Sequence, residues 1–260
     1  MNKDLIRQVT VLVSLIIMVL VNGLANALPI NGISTAEISD SFDVFFVPAG
    51  YVFAIWGLIY LALIVYAIYQ ALPAQRENPR LQRTGWIFVV SSLANTVWIF
   101  CWHYGYFAVS VVMMAILLGS LITIYLRLGT GRTAVSPAEQ WAVRVPFSIY
   151  LGWITVATIA NITVLLDYVN WSGWGVAPEI WTVIMLVVAV VVAGLMALRH
   201  RDVAYLLVLV WAFAGIGVAQ ADTPLVANAA WAATAAVLLM VIITAVQSRR
   251  KPRKLAYVAA

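Results

Sequence analysis

Residues 47–71 read VPAGYVFAIWGLIYLALIVYAIYQA, a run of 25 residues without Asp, Glu, Lys or Arg. A hydrocarbon core of about 30 Å takes about 20 such residues in a helix, so the stretch reads as a membrane span. Pro48 suits a helix start, where its missing N–H is no loss. Within the run Phe53, Trp56 and Tyr60 recur at spacings of three and four, which stacks them on one helical face. Lipid asks only for apolar atoms, so a one-sided aromatic stripe marks either a packed seam or a ligand-facing wall.

The rest of the chain has the same character. Of 260 residues, 64% are hydrophobic and 10% charged, with a mean hydropathy of +0.99, whereas soluble domains carry about 25% charged residues. Working outward from 47–71, apolar runs predict further spans at 11–28, 84–102, 107–126, 145–166, 180–198, 203–219 and 225–246. The first run is longer than the apolar region of a signal peptide and is expected to remain as a helix. Ser136, Pro137 and Glu139 form a helix-start pattern of cap, first-turn proline and acidic third position. The fold class predicted is therefore an all-α membrane protein, an eight-span helical bundle.

Charge orients it. With the N-terminus inside, all 15 Lys and Arg residues fall on inner segments, and the outer loops hold Glu37, Asp40, Asp43, Asp167, Glu179 and Asp222 without a base. This satisfies the positive-inside rule and puts both termini in the cytoplasm, with the protein multi-pass in an inner or plasma membrane. The basic tail at 249–254 is expected to lie beside anionic lipid rather than to bind nucleic acid.

No acid or base falls at the centre of a span, which weighs against a proton or ion pump. The chain has no Ser/His/Asp arrangement, no paired carboxylates and no phosphate-cradling glycine loop, so no catalytic residue is assigned. One cysteine, Cys101, and two histidines, His103 and His200, suggest neither an internal disulfide framework nor a metal centre. No cofactor is required by these residues.

What stays polar inside the spans is amide, phenol and indole. Asn95 and Trp98 lie in the third span, and Tyr150, Trp153, Ala157 and Asn161 follow one face of the fifth. An amide in hydrocarbon needs a partner. Together with Trp56 and Tyr60 these residues predict an aromatic cavity open toward the outer side or between helices, with a few polar groups to orient a flat apolar ligand. The competing reading is interhelical packing, with Asn as the adhesive group. Segment 29–46 is long enough to fold back as a cap, or else is an exposed loop.

The quoted residues resemble the tryptophan-rich sensory proteins, also called translocator proteins or peripheral benzodiazepine receptor relatives. Pro48, Phe53, Trp56 and Tyr60 match the pattern opening that family's second helix, although Ala49 stands for a second proline and Tyr51 for the first tryptophan. Asn95 with Trp98 matches the third helix, and Tyr150, Trp153, Ala157 and Asn161 match the fifth. The resemblance covers residues 6–166, and implies a five-helix core with three additional spans, dividing the chain at 1–166, 167–248 and a tail at 249–260. It implies a site for a porphyrin, a haem-like tetrapyrrole or a sterol, lined by Trp56, Asn95, Trp98, Tyr150, Trp153 and Asn161 and lidded by the first loop. His103, at the outer mouth, is either a loop residue or a contact to a propionate or haem iron. Two rivals from other classes are a permease-like transporter of a small amphipathic molecule and a structural subunit of a membrane complex. A dimer or larger assembly fits either the family or the subunit reading.

Overall fold

A computed structural model describes residues 3–28 and 30–250, with side chains through residue 247. The tail at 251–260 and the side chains of Arg249 and Arg250 lie outside the described residues. The described chain is helical throughout: α1 (Lys3–Ala27), α2 (Thr35–Asp40), α3 (Ile55–Ala71), α4 (Pro79–His103), α5 (Phe107–Arg127), α6 (Pro137–Glu139), α7 (Val145–Tyr168), α8 (Pro178–His200), α9 (Val203–Ala219) and α10 (Pro224–Arg250). A π-helical turn, Gln140–Arg144, joins α6 to α7. Among the described residues seven helical segments are long and apolar enough to cross a membrane. The eighth, α9, has 17 residues, or about 25 Å at about 1.5 Å per residue. It is well enclosed, with Leu206, Leu209, Ala212, Phe213 and Ile216 fully buried.

Helices α1, α3, α4, α5 and α7 make one bundle, and α9 packs on α7, α10 on α9 and α8 on α10. The α7–α9 approach depends on Gly152, where a Cβ would come within 3.1 Å of both the Tyr205 carbonyl and the Val208 side chain. Side-chain caps fix two helix starts, the first of them expected from the sequence. The Ser136 hydroxyl accepts from the Glu139 N–H at 3.2 Å, and Asp202 accepts from the Tyr205 N–H at 3.1 Å to start α9.

One expectation fails here. The α-helix of the second span does not begin at Pro48. A 3-10 turn, Gly50–Ala54, precedes it and the α-helix begins at Ile55. The cause is tertiary: the Ala49 N–H donates to the Gly215 carbonyl at 3.1 Å, and the Trp211 indole N–H donates to the Val52 carbonyl at 3.1 Å. These bonds from α9 hold the start of the run outside α-helical geometry.

The connections assigned to one side of the membrane do meet at one end of the bundle. Arg7 donates to the Arg76 carbonyl at 2.8 Å, Arg80 pairs with Glu139 at 2.5 Å, Arg127 reaches the Arg83 carbonyl at 2.8 Å, and His200 joins the Thr130 carbonyl at 2.9 Å.

Candidate functional site

Trp56, Tyr60, Asn95, Trp98, Tyr150, Trp153 and Asn161 converge. Trp56, near the start of α3, is the hub: its ring centroid lies 5.5 Å from Tyr60, 6.0 Å from Trp98, 6.2 Å from Tyr150 and 6.1 Å from Trp153. Tyr60 and Trp98 stack on it, while Tyr150 and Trp153 meet it edge-on, the offset and edge arrangements that the ring quadrupole favours. Phe53 adds an edge contact to Trp153 at 5.8 Å from the preceding 3-10 turn.

Amides hold the wall behind these rings. Asn22 Nδ2 donates to Asn95 Oδ1 at 2.8 Å, and Asn95 Nδ2 donates to the Tyr150 hydroxyl at 3.0 Å, so one chain of bonds ties α1, α4 and α7. Trp98 Nε1 donates to Asn161 Oδ1 at 3.2 Å, and Asn161 Nδ2 donates to the Ser110 hydroxyl at 2.9 Å, tying α4, α7 and α5. Asn22 and Ser110 are the partners that sequence reading missed. A single Asn in the first span carries no periodic signal, though the need of Asn95 for a partner implied one.

One buried donor is left over. Trp153 is 2% exposed, and its indole N–H has no hydrogen-bond partner. A buried donor without an acceptor costs about 1–3 kcal/mol. Trp153 lines a small cavity with Phe53, Trp56, Trp98, Trp102 and Asn161, and Thr35 and Ser39 also border it. Its volume is about 30 Å³, roughly the share of one water in the liquid. In this conformation the rings close on one another, and the space is too small for a tetrapyrrole.

Residues 30–46 are folded over this end as a cap. Ser34 caps α2 reciprocally with Glu37: the Glu37 N–H donates to the Ser34 hydroxyl at 3.3 Å, and the Ser34 N–H donates to the Glu37 carboxylate at 2.6 Å. These bonds hold the Glu37 carboxyl below its ordinary value, while burial and then the Glu37 charge push Asp40 upward. The Trp102 indole N–H donates to the Thr35 carbonyl at 3.2 Å, and Phe42 meets Phe107 edge-on at 5.0 Å. His103 completes the latch: Nδ1 lies 3.2 Å from the Ile30 carbonyl and Nε2 lies 3.1 Å from the Thr35 hydroxyl. With both ring nitrogens engaged, neither is free for a haem iron here. Among the described residues no group of three or more His, Cys, Asp or Glu side chains is placed to hold a metal.

Fold and site together define a polytopic helical membrane protein whose central aromatic seam lies beneath a loop that caps it. The sequence model of the family described as TSPO-like protein matches residues 8–243, and the chain belongs to that family. The match runs past residue 166 through α8 and α9 and into α10, so the C-terminal helices lie within what the family model covers. No curated protein and no solved structure matches the chain.

Proposed function

We propose that this protein binds a planar hydrophobic molecule, such as a porphyrin or haem-like tetrapyrrole, in the seam around Trp56, with a sensory or transport-related role. The observation that carries this reading is the Trp153 indole N–H, buried and without an acceptor beside stacked and edge-on rings under a cap. A ligand carbonyl, carboxylate or ring nitrogen placed between the rings would satisfy this donor. Family membership supports a hydrophobic ligand in general terms. The present conformation is the closed one, and a ligand enters when the cap lifts and Trp56, Trp98 and Trp153 part.

In this reading Trp56, Tyr60, Trp98 and Trp153 grip the faces of the ligand, and Asn95, Tyr150 and Asn161 hold the wall that positions them. The core at 1–166 carries the site, and 167–248 braces it through the α9 bonds to Ala49 and Val52. All 15 basic residues fall on one side of the proposed topology, which supports cytoplasmic termini in an inner or plasma membrane.

The test is titration of the detergent-purified protein with protoporphyrin IX and with haem, read by tryptophan quenching and visible absorption, beside Trp153→Ala and Asn95→Ala. Saturable 1:1 binding that weakens about tenfold or more in both variants is expected, a change of ~1.4 kcal/mol. A second reading, in which the seam is only interhelical packing, is favoured by the small cavity. It predicts no saturable binding, or the same weak binding in all three proteins.

A further inference from the structure

A second and much larger space lies away from the seam. It is a groove of about 830 Å³ between α3, α7 and α9, floored by the loop after α5 and by the α8–α9 turn, within the roughly 300–1,000 Å³ of small-molecule sites. Leu58, Ile149, Leu207 and Trp211 make its walls apolar, while Thr130, Arg144 and Arg201 line its floor.

The floor is built around one cation. Arg144 is 2% exposed, and among the described residues no carboxylate lies within ion-pair distance of it. Its Nη1 donates to the Thr133 carbonyl at 2.6 Å, and its Nη2 donates to the Leu128 carbonyl at 2.8 Å and the Thr133 hydroxyl at 2.5 Å. That leaves the Nε–H without an acceptor, and the hydroxyl of Thr130, itself 5% exposed, is also unpartnered. Two buried donors on one wall, one of them charged, call for an anionic acceptor.

Asp202 lines the same floor, but its carboxylate is already engaged. It accepts from the Tyr125 hydroxyl at 2.8 Å, the Ser148 hydroxyl at 2.5 Å and the Tyr205 N–H at 3.1 Å. Arg144 and Arg201 against this one carboxylate leave the floor net positive. Loop and helix end pack closely here, since a Cβ at Gly131 would fall 2.0 Å from the His200 carbonyl.

We infer that this groove is a binding site for an anionic membrane phospholipid. The headgroup phosphate sits at Arg201 over the charge of Arg144, whose Nε and the Thr130 hydroxyl it meets once these side chains turn toward the groove, and an acyl chain lies along Leu58, Ile149, Leu207 and Trp211. The lipid joins the α3/α7 face of the core to α9 of the extension. The site follows from the position of the groove at the membrane face and is independent of any ligand in the aromatic seam.

Native mass spectrometry of the full chain, released from nanodiscs holding equal dioleoyl phosphatidylglycerol and dioleoyl phosphatidylcholine, tests the assignment. The wild type is expected to retain one phosphatidylglycerol with about tenfold preference. Arg201→Asn keeps a residue suited to the left-handed backbone at φ 52° and is expected to lower the preference about fivefold, the worth of one basic residue near anionic lipid. Leu207→Trp fills the groove and is expected to abolish retention of both lipids, and Ala204→Phe serves the same purpose should Leu207→Trp unfold. Equal retention of the two lipids would mean ordinary boundary lipid and overturn the proposal, as would a preference unchanged by both Arg201→Asn and a groove-filling variant.

Discussion

Replacing Trp153 by Phe should give a more stable protein than replacing Trp98 by Phe, and the difference follows from one hydrogen bond. Both side chains are buried, 2% and 5% exposed respectively, so each substitution removes a similar ring and leaves a similar void, and those terms largely cancel. The Trp98 indole N–H donates to Asn161 Oδ1; an interhelical bond of this kind is worth about 0.6–1.7 kcal/mol, all lost in Trp98→Phe. The Trp153 N–H has no acceptor, so Trp153→Phe relieves a desolvation cost of about 1–3 kcal/mol. The two variants should therefore differ by about 1.6–4.7 kcal/mol in favour of Trp153→Phe. Equilibrium unfolding in mixed detergent micelles, followed by near-UV circular dichroism, measures it. The same Trp153→Phe protein should bind protoporphyrin IX about tenfold more weakly, because a group retained at a cost to stability is retained for function. If the two variants are equally destabilised, or Trp153→Phe is the worse, the unpartnered indole has been misread and the ligand assignment loses its main support.

Gly215→Ala puts a Cβ 2.3 Å from Val52 Cγ2 and 3.1 Å from Pro48 Cβ; it should cost about 1–3 kcal/mol and shift Trp211 emission as its bond to Val52 is strained, and unchanged emission would show that α9 does not brace this segment. His103→Ala removes the latch bonds to Ile30 and Thr35, about 1–3 kcal/mol of cap closure, and limited proteolysis within 29–46 should quicken about tenfold; an unchanged rate would remove His103 from that role. The cap should also respond to pH in two opposite ways. Glu37 sits below its ordinary 4.5, so its support for the closed cap is full above pH 4.5 and is lost as pH falls through the depressed value. Asp40 sits above its ordinary 3.8, so closure strengthens as pH falls through the raised value. Amide protection factors at 34–41, taken relative to the intrinsic exchange rate at each pH, should accordingly fall on acidification in Asp40→Asn and rise in Glu37→Gln, and the same trend in both would contradict this assignment.

The spans were legible because membrane helices are written in long apolar runs, and the seam because Trp and Asn recur at helical spacing on three of them. What was not legible came from contacts distant in sequence. The apolar character of 47–71 is continuous, yet its first residues are held out of the α-helix by Gly215 and Trp211, and nothing local records that. Asp202 reads as a turn residue after Arg199, His200 and Arg201, but it caps α9 and takes hydroxyl bonds from α5 and α7. Glu139 completes a helix-start pattern in sequence, yet in the structure its carboxylate turns to Arg80 rather than back to the cap. A short motif fixes where a helix begins more reliably than it fixes which distant group a charged side chain meets.

The closed seam sets a condition on any ligand that enters it. Parting Trp56 from Trp98 and Trp153, and Trp153 from Phe53, breaks three ring contacts worth about 0.5–1.5 kcal/mol each beyond their buried area. Opening thus costs about 1.5–4.5 kcal/mol before the cap is counted, and the binding-competent form is roughly ten- to two-thousand-fold rarer than the closed one. A small ligand cannot recover that by contact area, but a flat polycycle that replaces every lost ring contact and satisfies the Trp153 N–H can. Under the proposed function, the opening step would therefore select for large planar molecules without a large preformed cavity. Loosening the cap at His103 and removing a wall group at Trp153 must then move affinity in opposite directions, a pairing that a purely structural seam does not produce.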